Sequence, residues 1–333
     1  MNMNTSLPDI PLPPGIRSRY VENINGLRMH VLEAGYVSKG RPCILLLHGF
    51  PELAYSWRKV MPALAEAGYH VIAPDQRGYG RTTGWDASFD GDLHSFRLTN
   101  LVRDALGLVS AFGHASVDVV IGHDFGSPVA AWCALVRPDV FRSVVMMSAP
   151  FGGPPSLPFN TADASAKPAP DDPVHRDLAA LARPRKHYQW YYSTREADGD
   201  MTRAPQGVHD FLRAYYHHKS ADCKANAPSP LQSWSAGELA KLPTYYVMDL
   251  AKTMPETVAE EMPDAGDKLR LTLAPAGFAT PVKPVDRCRS LRPTAGPIDR
   301  YLGHRQCPPS RSSRTTPRKA VALFPRRRCC VCV

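Results

Sequence analysis

VDVVIGHDFGSPVAAWCALVRP, residues 117–138, decides the fold. Val117 to Ile121 reads as a buried strand, Gly122-His123-Asp124-Phe125-Gly126 as one tight turn, and the alanine-rich stretch to Pro138 as a helix. On its own Gly-x-Asp-x-Gly is an ordinary turn. The order strand, turn, helix makes it an elbow that lifts its crest residue out of the sheet as a nucleophile, here aspartate where such elbows carry serine. Glycine two positions before and two after the crest leaves room for the neighbouring strand and helix, because the crest residue is held in a strained conformation. The helix N-terminus that follows favours an ionised Asp124 carboxylate.

On the N-terminal side, residues 1–15 are proline-rich and polar and read as a surface arm. Arg17 to Glu33 alternates around Asn25-Gly26, the signature of a hairpin. Pro42 to Leu47 is an apolar strand that ends at His48-Gly49-Phe50-Pro51-Glu52. A helix is predicted over Ser56 to Ala67, with Trp57, Val60, Met61 and Leu64 on one face, and a strand over His70 to Ala73, leading into Pro74-Asp75-Gln76-Arg77-Gly78-Tyr79-Gly80. A second helix spans about Phe96 to Phe112, and beyond the elbow helix Arg142 to Ser148 is a further strand. Strands and helices alternating in this way, with nearly continuous apolar strands, predict an α/β protein with a mostly parallel, doubly wound sheet. Ligands of such sheets bind beyond the carboxyl ends of the strands. His48 to Pro51, Asp75 to Gly80, Asp124 and Pro150 all fall there.

Residues 151–263 differ in character. A small and charged segment, Ala162 to Pro173, precedes helical stretches such as His187 to Ser193 and Val208 to His218. Tyr188, Trp190, Tyr191, Tyr192, Phe211, Tyr215 and Tyr216 make this region dense in aromatic rings.

The 333 residues carry a formal charge of +9, but residues 268–333 hold 12 Arg and 3 Lys against Asp286 and Asp299, so the first 267 residues are slightly acidic. Basic character belongs to the tail alone. The tail, 264–333, has nine prolines and no useful apolar strand besides Leu269 to Ala274, and reads as disordered. Its abrupt change of composition suggests a shifted reading frame or a retained intron. Alternatives are a polybasic membrane or nucleic-acid segment, and Cys330-Val331-Cys332-Val333 as a prenylation box beside Arg326-Arg327-Arg328. Cys43, Cys133 and Cys223 lie apart in the body and look like buried apolar residues of a reducing compartment; no cysteine spacing suits a zinc site. No signal sequence or membrane span is legible, which points to a cytoplasmic protein without membrane or nucleic-acid partners.

His48-Gly49-Phe50-Pro51-Glu52, Asp75-Gln76-Arg77-Gly78-Tyr79-Gly80, Gly122-His123-Asp124-Phe125-Gly126 and Tyr188-Gln189-Trp190-Tyr191 together resemble the α/β-hydrolase family, within it the epoxide hydrolases that use an aspartate nucleophile. The resemblance covers about Ile16 to Pro263. It implies an α/β-hydrolase core over 16–150 and a helical lid over 151–263, with no cofactor and no metal, acting on a small apolar epoxide and water to give a vicinal diol. It assigns Asp124 as nucleophile, Tyr188 as the acid that protonates the leaving oxygen, and the backbone N–H groups of Phe50 and Phe125 as oxyanion donors. His48, Gly49, Pro51, Gly122, His123 and Gly126 support them. Asp75 and Arg77 are expected to brace their loop as a pair.

Haloalkane dehalogenases are the nearest competitor, but at Phe50 and Phe125 this chain lacks the side-chain N–H groups that hold a halide. A non-catalytic protein that binds apolar ligands, or one that acts through its basic tail, is the alternative from another class. The family also needs two further strands, an acid and a histidine that activates water. Beyond His218 the one histidine is His304, with Asp286 and Asp299 as acids, so the C-terminal strands are expected to be lost or replaced and turnover impaired. The second lid tyrosine of the family is absent unless Tyr245 or Tyr246 serves.

Overall fold

The computed structural model describes residues 8–149, 151–153, 173–217, 219, 230–260 and 262, and the backbone of 330–332. Strands β1 (Ile16–Ile24) and β2 (Leu27–Ala34) form an antiparallel hairpin that pairs Tyr20 with His30. Its turn is made where the sequence places it: Asn25 and Gly26 both take positive φ, 49° and 83°, the geometry a tight two-residue hairpin demands. An irregularity between Val21 and Ile24 adds local twist.

β3 (Cys43–Leu47) is buried at every position, as a central parallel strand must be. The predicted helix after it divides into a 3-10 turn over Ala54–Lys59 and a short helix α1 (Met61–Glu66). Pro62 explains the break: it sits at the start of α1, where its missing N–H costs nothing. Trp57 and Met61 are buried as expected, whereas Val60 faces solvent. Next come β4 (His70–Pro74), α2 (Leu98–Ala111), β5 (Val119–His123), α3 (Gly126–Val136) and β6 (Val144–Met147). The elbow strand therefore begins and ends two residues later than the apolar pattern suggests and runs directly into Asp124.

The sheet order is β1-β2-β4-β3-β5-β6, parallel from β4 to β6 and antiparallel at the hairpin edge. Leu101, Leu108, Val129 and Ala130 of α2 and α3 pack with one face of the sheet; Trp57 and Met61 cover the other. From β3 the chain winds to β4 on one side, then returns to build β5 and β6 on the other. That reversal lies between β3 and β5, which opens a crevice at their carboxyl ends.

Beyond residue 172 the chain forms α4 (Val174–Ala179), β7 (Arg185–His187), α5 (Tyr188–Tyr192), α6 (Glu196–Thr202), α7 (Gly207–His217), α8 (Ala236–Leu239), β8 (Val247–Asp249) and α9 (Met254–Ala259). The helix expected from His187 starts one residue later, and β7 and β8 pair as a small antiparallel ribbon. Three-residue strands are too short to leave a period in the sequence. Tyr191, Tyr192, Phe211, Tyr215, Tyr245 and Met248 form a separate core here, distinct from that of the sheet.

At the far edge the backbone of β9 (Cys330–Cys332) pairs in parallel with β6, a strand of the tail beside the sheet where the C-terminal strands are expected to be lost or replaced. Alternating β-branched and small residues, Cys-Val-Cys, suit an edge strand. Leu269 to Ala274, Asp286, Asp299 and His304 lie outside the described residues, as does Cys223. Cys43 and Cys133 are free and buried. Among the described residues, no helix is long and apolar enough to cross a membrane.

Candidate active site

Asp124 sits at the crest of the elbow with φ 51°, a left-handed conformation that costs a non-glycine residue about 1–3 kcal/mol and is tolerated where the surroundings over-determine it. Those surroundings are explicit. A side chain at Gly122 would overlap the carbonyl of Gly126, one at Gly126 would overlap the carbonyl of Leu47, and one at Gly49 would overlap Asp124 itself. The Asp124 N–H donates to the Met147 carbonyl of β6 at 2.9 Å, and the Asp124 carbonyl accepts from the Ser127 N–H at 2.9 Å. The buried Ser127 hydroxyl accepts from the Met147 N–H at 3.0 Å and lies 2.8 Å from the carbonyls of Gly122 and Met147. Both sides of the turn are thus tied to β6.

The loop after β3 approaches from the other side. The Phe50 N–H donates to Asp124 Oδ1 at 3.0 Å, which holds one carboxylate oxygen in a defined place. Glu52 accepts from the Gly49 N–H at 3.2 Å and meets His123 Nδ1 at 2.7 Å. Burial alone would raise the Glu52 carboxyl, but the hydrogen bond and charge of His123 hold it below its ordinary value. The same hydrogen bond raises His123, against the opposing effect of burial. Together these shifts favour a charged pair beside Asp124.

His48 is fully buried below this loop. Its Nε2 accepts from the Gln76 N–H at 3.1 Å, which places the ring proton on Nδ1, 2.9 Å from the Gly49 carbonyl. Burial pushes His48 below its usual value, so it stays neutral and serves as a fixed strut for the loop that carries Phe50. Asp75 and Arg77 do not pair with each other as expected. Asp75 takes His30 Nδ1 at 2.8 Å and the Ala54 N–H at 2.9 Å, while Arg77 makes a bidentate pair with Asp104 of α2 at 2.7 and 2.8 Å. Each brace reaches a different element, which spacing along the chain does not reveal.

Tyr188 opens α5, and its N–H donates to the Tyr246 carbonyl at 2.8 Å. Its ring meets those of Tyr246 at 5.3 Å and Tyr192 at 5.4 Å, both edge to face. Tyr192 in turn packs on Phe50 at 4.9 Å. Phe50, Tyr188 and Tyr246 all pack against the aromatic core beyond residue 172, so the loop that holds Asp124 Oδ1 also carries the underside of the tyrosine cluster. Phe125 heads α3, where its N–H stands outside the helical ladder. Pro51 follows Phe50 through a cis peptide bond.

The structure brings Asp124 together with Gly49, Phe50, Gly122, His123, Phe125 and Gly126, with His48 one layer below and Tyr188 in the aromatic cluster that touches Phe50. Two features escape the sequence reading. One is the Glu52–His123 pair, 71 positions apart in the chain. The other is Lys219, whose Nζ donates to the Tyr215 hydroxyl at 2.8 Å and lies 4.0, 4.7 and 5.3 Å from the ring centres of Tyr215, Tyr245 and Tyr246. Its spacing of four from Tyr215, across the end of α7, is the signal that points to it. Among the described residues, no group of three or more His, Cys, Asp or Glu could hold a metal ion.

The chain is 37% identical over 195 residues to epoxide hydrolase B of Mycobacterium tuberculosis, covering 57% of this chain and 50% of the relative. It is 43% identical over 136 residues to epoxide hydrolase A of the same organism, covering 41% of this chain and 40% of the relative. A solved epoxide hydrolase from an endophytic Streptomyces superposes with a TM-score of 0.54 at 30% identity, covering 75% of this chain and 62% of that one. The chain spans about half the length of the curated relatives it matches. Residues 42–238, more than half of the chain, match the alpha/beta hydrolase fold family, and with the strand order and elbow described above the chain belongs to that family.

Proposed function

We propose that this protein opens a small apolar epoxide through an ester on Asp124, leading to a vicinal diol. The observation that carries it is the Phe50 N–H on Asp124 Oδ1 at 3.0 Å. It divides the labour of the two carboxylate oxygens: Oδ1 is held, and Oδ2 is left to attack. A carboxylate needs no base for this attack, because it is already ionised. As Oδ2 bonds to an epoxide carbon, the C–O bond breaks toward oxygen, and the alkoxide takes a proton from the Tyr188 hydroxyl. The ester carbonyl oxygen is then Oδ1. When water adds to that carbonyl, negative charge grows where the Phe50 N–H already points, with the Phe125 N–H as second donor. Loss of one such donor costs about 3 kcal/mol of transition-state stabilisation. The aromatic cluster that packs on Phe50 supplies apolar surface beside the site. The names of the curated relatives add to the support.

The test is the intact mass of the full chain after incubation with a small aryl epoxide, with peptide mapping across residues 117–138 and assay of the same sample for diol. A mass gain of one epoxide on Asp124 that is absent in Asp124→Asn is the expected result. A stable adduct without diol would mean that ring opening works and water activation does not. Diol without a lasting adduct would mean that a base acts, His304 being the first to replace. Neither adduct nor diol would replace this proposal with that of a protein that binds apolar ligands without chemistry.

A further inference from the structure

Lys219 is the unusual residue above the nucleophile. It is partly buried, three tyrosine rings surround its ammonium, and among the described residues no carboxylate stands within ion-pair distance of it. Withdrawing a cation from water is costly, and a lysine so placed gives up its proton more readily. An ammonium can only donate, so the 2.8 Å contact makes the Tyr215 oxygen the acceptor. The Tyr192 hydroxyl lies 3.4 Å from the same oxygen. With Tyr192 donating as well, the hydrogen of Tyr215 is left to go elsewhere. Tyr192 packs on Phe50, whose N–H binds Asp124, so this hydroxyl pair stands one side chain from the nucleophile.

We propose that Lys219, acting through the Tyr215 hydroxyl, is the proton reservoir for ring opening. This rests on the epoxide chemistry set out above and adds a second donor to Tyr188. On this route the Asp124 Oδ2–carbon bond forms, the epoxide C–O pair moves onto oxygen, that oxygen takes its one proton from Tyr215 in place of Tyr188, and the phenolate takes one from Lys219. Hydrolysis of the ester later releases one proton as the Asp124 carboxylate is regenerated, and the Lys219 amine recovers it. Without Lys219 the phenol would be a poor acid, since burial and then the charges of neighbouring groups, Asp124 among them, raise it well above its ordinary value.

The groups that face Lys219 are the phenols of Tyr215, Tyr245 and Tyr246, the carboxylates of Asp124 and Glu52, and His123 of the elbow. Burial pushes Lys219 down to about 8, with Asp124 and Glu52 opposing that fall. Ester formation removes the Asp124 charge and with it part of the hold on the proton. The group is therefore poised to release its proton when the alkoxide appears.

Single-turnover ester formation, read as intact mass between about pH 6 and about pH 10, tests this in wild type, K219M, K219R and Y215F. Wild type should slow as pH rises through about 8. K219M should be slower by ~100-fold at neutral pH and lack that falling limb. K219R keeps the charge on Tyr215, but its guanidinium cannot give up the proton, so it should be nearly as slow as K219M and lack the limb as well. Y215F should match K219M. A Lys219 that merely props the rings would lower the melting temperature and leave the pH profile alone, so K219M or K219R retaining the limb at about 8 overturns the proposal. If K219M fails to fold, K219R and Y215F decide by the same limb. If wild type yields neither ester nor diol, the epoxide chemistry itself falls, a result separable from loss in the variants alone.

Discussion

The chemistry of single residues here is set by pairs that the chain brings from afar. His123 and Glu52 are the clearest case, because their shifts run in opposite directions and both favour the charged pair. For Glu52, lowered when folded, the stabilisation is present above its ordinary value of 4.5 and lost as pH falls. For His123, raised when folded, it is complete below 6.5 and lost as pH rises through the folded value. The pair therefore stabilises most between those two values. Urea midpoints of wild type should fall between pH 5.5 and 8.5 by more than those of Glu52→Gln; parallel profiles would show that the pair adds nothing to stability. Asp124 and its flanking glycines were legible in the sequence because a strained crest needs small neighbours two positions away. The partner of His123 was not, since Glu52 lies on another loop and nothing in local spacing joins them.

At the scale of elements, the elbow is a strand and a helix fastened to a third strand. Ser127, in the first turn of α3, does the fastening: its hydroxyl takes the Met147 N–H at 3.0 Å. Ser127→Ala leaves a partly buried N–H of β6 without this acceptor and should cost about 1–3 kcal/mol. Because Asp124 is bonded to the same Met147, ester formation should slow as well, measurable as a lower melting temperature together with a reduced single-turnover rate. A loss of stability with an unchanged rate would mean that the Asp124 N–H to Met147 bond alone fixes Asp124. The strands β3 to β6 and the helices α2 and α3 were readable from apolar runs and period. What escaped was shorter than a period: the β7–β8 ribbon, the division at Pro62, and β9, whose three residues look like tail until β6 lies beside them.

Across the whole molecule, buried polar pairs join parts that apolar packing alone would leave free to slide. Arg77, after β4, grips Asp104 of α2, and Asp104 also takes the side-chain amide of Asn25 from the hairpin turn at 2.7 Å. Arg77→Met would strand the Asp104 carboxyl, which burial already raises, and should cost about 3–5 kcal/mol. Chemical denaturation checks this, and a change under about 1 kcal/mol would mean that Asn25 and solvent suffice for Asp104. Charge, by contrast, is distributed by segment and not by fold: the basic tail stands apart from an acidic body, which composition made plain. The described contacts that hold Asp124 in place come from residues 47–50, 122–127 and 147, whereas the tyrosines that pack on Phe50 begin at residue 188. Synthesis runs from the N-terminus, so a ribosome delivers the whole cradle of Asp124 before any of those rings. Asp124 can be set in its cradle while still open to water, and the aromatic cluster then packs against a loop already made.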